Sequence, residues 1–408
     1  MTVLLAYVAL FFLAWSLTLL AGRKTPRLTF GDASSVRPSR LASVLSVGML
    51  FLIWGAFTGS TLVPLHVPGP FVGDTSFSYT AEDGRGGTGQ ATVTVRVHRP
   101  GERPDKPDAT GGSGIARDDS EVTPAWRSAL VKPATNDAPG AFVTAIDGHP
   151  VRPGQAVQVA DGDAVLTPKG SISFTPDAGW QMEPIWLPSP EAVAARLVEI
   201  ARDGYQNHSL WEHLGYSLWR VLAGLVLGTL VGVPLGYAMG LSGWIRGWFD
   251  PIVEFMRPVP PLALIPLVII WFGIWESGKI VLLFLAALWI MVIAARNGIT
   301  GVRLSKVHAA YSLGASRGQV LRHVIIPNSL PEIFTGLRVA LGVCWGTVVA
   351  AELVAAEKGA GMMILVASKF QLTDIVVMGI LLIGFIGYGI DILMRLAERR
   401  LVPWRGKG

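Results

Sequence analysis

Long apolar runs, repeated along the chain, restrict this sequence more than any other feature. They lie at Val3 to Ala21, Leu41 to Val63, Ser217 to Met239, Pro258 to Phe272, Lys279 to Ala295, Gly336 to Ala356 and Leu372 to Met394. Several exceed the roughly 18 residues that read as a membrane-spanning helix. Only 15% of the 408 residues are charged, where an ordinary soluble domain has about 25%, so much of the chain is fitted to lipid. The single cysteine, Cys344, excludes an internal disulfide framework, and no CxxC pair suggests a zinc or iron-sulfur site.

The charges set the orientation. The chain carries a net charge of +5, yet Pro64 to Pro190 holds 15 acidic against 10 basic side chains, so the basic excess lies elsewhere. It gathers at Arg23, Lys24, Arg27, Arg37 and Arg40, at Arg296, Arg303, Lys306, Arg317 and Arg322, and in a tail with Arg395, Arg399, Arg400, Arg405 and Lys407. Basic residues beside apolar spans mark cytoplasmic loops, which accounts for the basic pI without nucleic acid. Seven spans follow, with the N-terminus outside, the C-terminus inside and residues 64–216 periplasmic. The first run has no basic start and is too long for a signal-peptide core, so it reads as a retained helix.

Between Pro64 and Trp180 the composition turns to Gly, Pro, Asp and Thr. Ala91 to Val97, ATVTVRV, alternates as a half-buried strand does, and FSYT at Phe77 to Thr80 and SISFT at Ser171 to Thr175 are similar. Arg99 to Pro124 is hydrophilic and reads as a linker. Asp74, Asp83, Asp161 and Asp163 read as turn formers, and no metal site is expected from them.

The connector at 296–335 is long for a mere link between spans. From His308 it runs HAAYSLGASRGQVLRHVIIP. Two alanines come first, Gly314 lies four residues after Ala310, and Val324, Ile326 and Pro327 close the segment. Ala309 to Leu313 suits a short helix, Gly314 a sharp turn with close approach of another backbone, and Leu321 to Ile326 a second helical turn that Pro327 helps to end.

This order resembles the EAA loop of the membrane subunits of binding-protein-dependent ABC importers, with His308 in place of the glutamate. MRPVPPLALIPLVIIWFGIWESGKI at Met256 to Ile280, LPSPEAV at Leu187 to Val193 and the ending RRLVPWRG are similar to the taurine permease branch of the nitrate, sulfonate and bicarbonate importers. The resemblance implies an all-α polytopic membrane protein, the transmembrane domain of a type I ABC importer. It also implies a non-enzymatic subunit without cofactor of its own, paired with a second permease copy, an ATPase subunit dimer that binds ATP and a periplasmic substrate-binding protein. Ala309, Ala310, Leu313, Gly314, Ala315 and Pro327 are then the ATPase-coupling residues. The chain has no nucleotide site of its own: the nearest approach to a P-loop, Gly84 to Ala91, has Gln90 where the lysine must be.

Ionisable residues within spans are functional candidates by default, and Arg220, Arg257 and Glu352 are those assigned to a substrate pathway. Gly224, Gly228 and Gly232, spaced four apart, suit a close helix-helix face. The expected substrate is taurine or a related sulfonate or small anion, with nitrate or bicarbonate as the alternative within the family.

The insert itself, 64–181, is extra to that family. Phe71 to Val97 resembles the closing half, and Thr135 to Trp180 the opening half, of the cadherin-like repeats of bacterial surface proteins. The expectation is an all-β, cadherin- or immunoglobulin-like sandwich, circularly permuted, between two N-terminal spans (1–63) and the permease unit (182–408). A membrane-anchored adhesion or sensor protein is the reading from a different class: it accounts for the insert but leaves the coupling loop unexplained.

Overall fold

The computed structural model describes residues 2–22, 39–109, 111 and 114–404. The basic segment after the first helix and the last four residues lie outside these, as do Arg23, Lys24, Arg27, Arg37, Arg405 and Lys407. The chain divides into two compact units, 1–191 and 192–408, where the sequence suggested three segments.

The first unit opens with α1 (Thr2–Gly22) and α2 (Arg40–Thr58), and the Tyr7 hydroxyl of α1 donates to the Leu65 carbonyl, beyond the end of α2, at 2.8 Å. Ser39 caps the start of α2 by accepting from the Ala42 amide, and Gly59, at φ +64°, ends it in the left-handed conformation that glycine adopts without penalty.

A two-sheet sandwich follows. Strands β1 (Gly73–Glu82), β2 (Thr88–His98), β3 (Asp119–Pro124), β4 (Ala129–Val131), β5 (Phe142–Ile146), β6 (His149–Pro150), β7 (Ala156–Val159), β8 (Gly162–Leu166) and β9 (Ile172–Pro176) form sheets ordered β3-β2-β1-β5-β6 and β4-β9-β8-β7. The alternation in β2 puts Ala91, Val93, Val95 and Val97 inside. Phe77 of one sheet stacks on Phe174 of the other at 5.6 Å, so both halves of the insert share one core. Its two ends meet: the Phe71 amide donates to the Asp177 carbonyl at 2.9 Å, and the Trp180 amide to Pro68 at 2.7 Å.

The linker expectation needs correction at its end. Asp119–Pro124 is a strand, paired in parallel with β2 from Val93↔Asp119 to His98↔Pro124. Its sequence, DSEVTP, is polar and ends in proline, so hydropathy gave no sign of it. Its place comes from backbone pairing on the free edge of β2.

The second unit is helical. The helices are α3 (Pro190–Asp203), α4 (Leu210–Leu241), α5 (Gly243–Met256), α6 (Ile265–Phe272), α7 (Glu276–Thr300), α8 (Leu304–Ser312), α9 (Arg317–Val320), α10 (Ile326–Ala355), α11 (Ala360–Lys369) and α12 (Thr373–Leu401). A core of Val221, Leu225, Leu283, Ala287, Met291, Ala340, Cys344 and Val348 joins α4, α7 and α10. The glycines of α4 make this possible. A Cβ on Gly224 would sit 2.4 Å from Leu283 Cβ and one on Gly228 2.6 Å from Ala287 Cβ; Gly236 is as tightly placed, and a Cβ on Gly232 would lie 2.9 Å from Met291 Cβ.

Among the described residues five helices are long and apolar enough to cross a membrane: α2, α4, α7, the stretch through α10, and α12. Gly243–Met256 and Pro261–Phe272, bent by 93° at the break between them, reach that length only together, as a broken span or a re-entrant loop, and α1 adds the shorter apolar stretch Leu5–Leu20. Residues 243–256, between two of the apolar runs, are thus helical. Trp244, Trp248, Ile252 and Phe255 lie exposed on α5, and Arg296 of α7 pairs with Asp250 and Glu254.

Candidate functional site

The connector between α7 and α10 is built from short capped pieces. Arg303 is extended ahead of α8, and Gly314 turns the chain at φ +81°. Ser316 and Gln319 then form a reciprocal capping box that starts α9. None of the α8 residues is buried. Leu313 is 89% exposed, and it borders a shallow hollow of about 370 Å³ with Ala310, Gly314, Ala315, Val320 and Val324. A leucine so bare at a tight turn offers an apolar contact that nothing in the unit covers. Five of the six candidate coupling residues therefore stand together: Ala309 on the exposed side of α8, the other four around the hollow.

Pro327 behaves otherwise than its sequence suggested. It lies in the first turn of α10, and the backbone runs on through a π-turn at Leu321–Ile325 directly into that helix. A proline lacks the N–H and crowds the carbonyl four residues back, costs that are smallest near the start of a helix. The wider π-turn ahead of it absorbs the misfit, so the proline begins a helix where it was expected to end one. Its carbonyl accepts from the Trp404 indole at 3.1 Å, Lys306 Nζ donates to Asn328 Oδ1 at 2.9 Å, and the Tyr237 and Ser329 hydroxyls lie 2.6 Å apart.

At the far ends of α7 and α10 lies a buried polar cluster. Arg220 of α4, 1% exposed, donates from Nε and Nη2 to the two oxygens of Glu276 at 2.6 and 2.7 Å, and from Nη1 to Glu352 Oε1 at 2.6 Å and the Lys358 carbonyl at 2.8 Å. Glu352 also accepts from Ser217 Oγ at 2.7 Å and, through Oε2, from the Gly361 amide at 2.9 Å in the first turn of α11. The Ala360 amide donates to Ser217 Oγ, and the Gly359 amide to His213 Nδ1. A Cβ on Gly359 would fall 2.3 Å from the Glu352 carboxyl carbon, so the segment entering α11 lies flat on the ion pair. Arg220 and Glu352 lie out of water, which is tolerable only when they are hydrogen-bonded this fully, while the Glu276 side chain keeps 49% of its surface exposed.

Of the three pathway candidates, Arg220 and Glu352 come together and Arg257 does not join them. Arg257 caps α5, its side chain 65% exposed, 3.8 Å from Glu254. The members that sequence reasoning missed are His213, Ser217, Glu276 and Lys279. One signal was present: Glu276 and Lys279, three apart, open an apolar helix, where a charged pair is costly without a task.

The second unit is thus a multi-helix unit with spans long enough to cross a membrane and an exposed, capped connector between two of them. The model of the family described as "binding-protein-dependent transport system inner membrane component" matches residues 224–403. The taurine transport system permease protein TauC of Escherichia coli is 48% identical over 227 residues, 55% of this chain and 82% of the relative. A putative aliphatic sulfonates transport permease of the same organism is 43% identical, covering 55% and 84%. The nitrate import permease protein of Synechococcus elongatus is 29% identical, covering 54% and 80%. Among solved structures, an inward-facing MetNI methionine ABC transporter aligns at TM-score 0.40 and 19% identity, over 46% of this chain and 92% of that one. The chain belongs to the family of binding-protein-dependent transport system inner membrane components, the permeases of ABC importers.

Proposed function

We propose that the chain is the membrane subunit of an ATP-driven, binding-protein-dependent importer of taurine or a closely related small sulfonate. The observation that carries the reading is the bare apolar turn at Leu313–Ala315 in a chain 48% identical to a taurine permease. Ala309, Ala310, Leu313, Gly314 and Ala315 meet a partner ATPase, and Pro327 fixes the helix that takes the movement onward. ATP is bound and hydrolysed in that partner, so this chain needs no cofactor. A second copy completes the pathway, and a periplasmic binding protein delivers substrate to residues facing outward. Arg220 and Glu352 hold the pathway wall as a staple between α4 and α10, and Arg257 borders it at the end of α5.

The insert is in this reading a periplasmic, circularly permuted cadherin-like sandwich. The Phe71–Asp177 hydrogen bond supports this, since it joins the two ends that the usual repeat has in sequence. An adhesion protein would need no exposed coupling turn. The test is uptake by vesicles that contain the chain with its neighbouring ATPase and binding protein, offered taurine, ethanesulfonate, nitrate and bicarbonate. Transport confined to the sulfonates supports the reading, and transport of nitrate or bicarbonate alone overturns the substrate assignment.

A further inference from the structure

Beside the staple, a cation among the described residues keeps donors to spare. Lys279 of α7 is only 7% exposed, and its ammonium, with three donors, has among the described residues one acceptor within hydrogen-bond distance, Glu276 Oε1 at 2.9 Å. Arg220 already takes both oxygens of that carboxylate. Lys279 lines a cavity of about 650 Å³ at the ends of α4, α7 and α10 away from the connector, with Tyr216, Glu357, Lys358 and Lys369. That volume lies within the roughly 300–1,000 Å³ of small-molecule sites. The Lys358 ammonium lies 5.0 Å above the Tyr216 ring, a cation-π contact that holds it in place and leaves its hydrogen-bond donors available. Arg220, Lys279, Lys358 and Lys369 stand there against Glu276, Glu352 and Glu357, an excess of one positive charge.

We infer that Lys279 and Lys358 form an anion-receiving subsite for the sulfonate group of a small organic substrate on its way through the permease. The inference rests on the importer reading and adds the residues that recognise the substrate's charge. A sulfonate presents three acceptor oxygens and one negative charge, which match the open donors of Lys279 and the excess charge of the cavity. Glu357 stands at the same cavity to meet an ammonium two carbons away, as in an aminosulfonate. Arg220, with four of its five donors committed, positions Glu276 and does not bind the anion.

The test uses the full complex of chain, ATPase and binding protein in vesicles. Uptake of radiolabelled taurine is measured for wild type, Lys279→Gln, Lys358→Gln and the two Lys→Arg variants, alongside equilibrium binding of taurine, ethanesulfonate and ethanolamine to the complex without the binding protein. Each Gln variant should bind both sulfonates about tenfold more weakly or worse, the loss of a charge-assisted hydrogen bond, while the Arg variants retain binding. Ethanolamine, which lacks the anion, should not bind. Lys358→Gln keeps the test open should Lys279→Gln fail to fold, because Lys358 is only half-buried. Wild-type transport unchanged in both Gln variants overturns the subsite alone, and absence of any sulfonate uptake by wild type overturns the importer reading together with it.

Discussion

Arg220 shows what a single buried charge requires. It is held by two carboxylates and a carbonyl, so removing it leaves Glu352 charged, buried and short of its counter-ion. Arg220→Gln should cost about 3–5 kcal/mol of stability, the usual result of breaking a buried pair, read as a lower midpoint of thermal unfolding in detergent. A midpoint within a degree of wild type would show that the staple carries no load. In the sandwich, the Tyr79 hydroxyl lies 2.8 Å from the Arg117 carbonyl, 2.9 Å from Asp137 and 3.2 Å from Asp119. Burial, then the charge of Asp137, pushes the Asp119 carboxyl up to about 6. The folded state therefore holds a proton there that the unfolded chain has released above about pH 4. Stability from this group is fully present below about pH 4 and is lost as pH rises through about 6, so the calorimetric transition of the sandwich should lie higher at pH 5 than at pH 7. Asp119→Asn should flatten that dependence, and a wild-type transition equal at both pH values would contradict it.

At the scale of elements, the stripe on α4 makes a sharp demand. An alanine at Gly228 would place its Cβ 2.6 Å from Ala287 Cβ and 3.0 Å from two backbone atoms of α7, none of which is a flexible side-chain end. Gly228→Ala should destabilise by about 1–3 kcal/mol, whereas Gly215→Ala, whose Cβ meets nothing within 4 Å, should be neutral or slightly stabilising in the unfolding midpoint. The stripe was legible in the sequence because four-residue spacing of glycines has one geometric meaning on a helix. The two-sheet insert was legible from β1, β2 and β9, whose apolar residues alternate, and the connector from its small residues and Gly314. What escaped has a physical reason in each case. Strand β3 is polar and owes its form to the edge of β2. The fate of Pro327 depends on a π-turn that no local propensity encodes. The cluster around Arg220 joins residues as far apart as Ser217 and Gly361, a proximity that only the packing of α4, α10 and α11 creates.

For the whole molecule, the insert leaves and returns at one place. The Val67 amide bonds to Ala56 and the Met182 amide to Phe57, so excising 64–181 leaves two ends that already lie beside the last turns of α2. The shortened chain should still reach the membrane and unfold at a midpoint close to that of the full chain's helical unit, because the core of α4, α7 and α10 contains no residue before Val221. Loss of all folded protein on this deletion would show the sandwich to be part of the permease scaffold. In the proposed function, the bare turn at Gly314 links substrate movement to a partner's ATP hydrolysis. An aspartate there would combine a backbone at φ +81°, which costs a side chain about 1–2 kcal/mol, with a charge in the apolar hollow. The most direct measurement is taurine uptake by vesicles containing wild type or Gly314→Asp at equal membrane abundance, with the ATPase and binding protein present. Uptake by wild type that the substitution abolishes is the predicted result, and equal uptake by both would contradict the account.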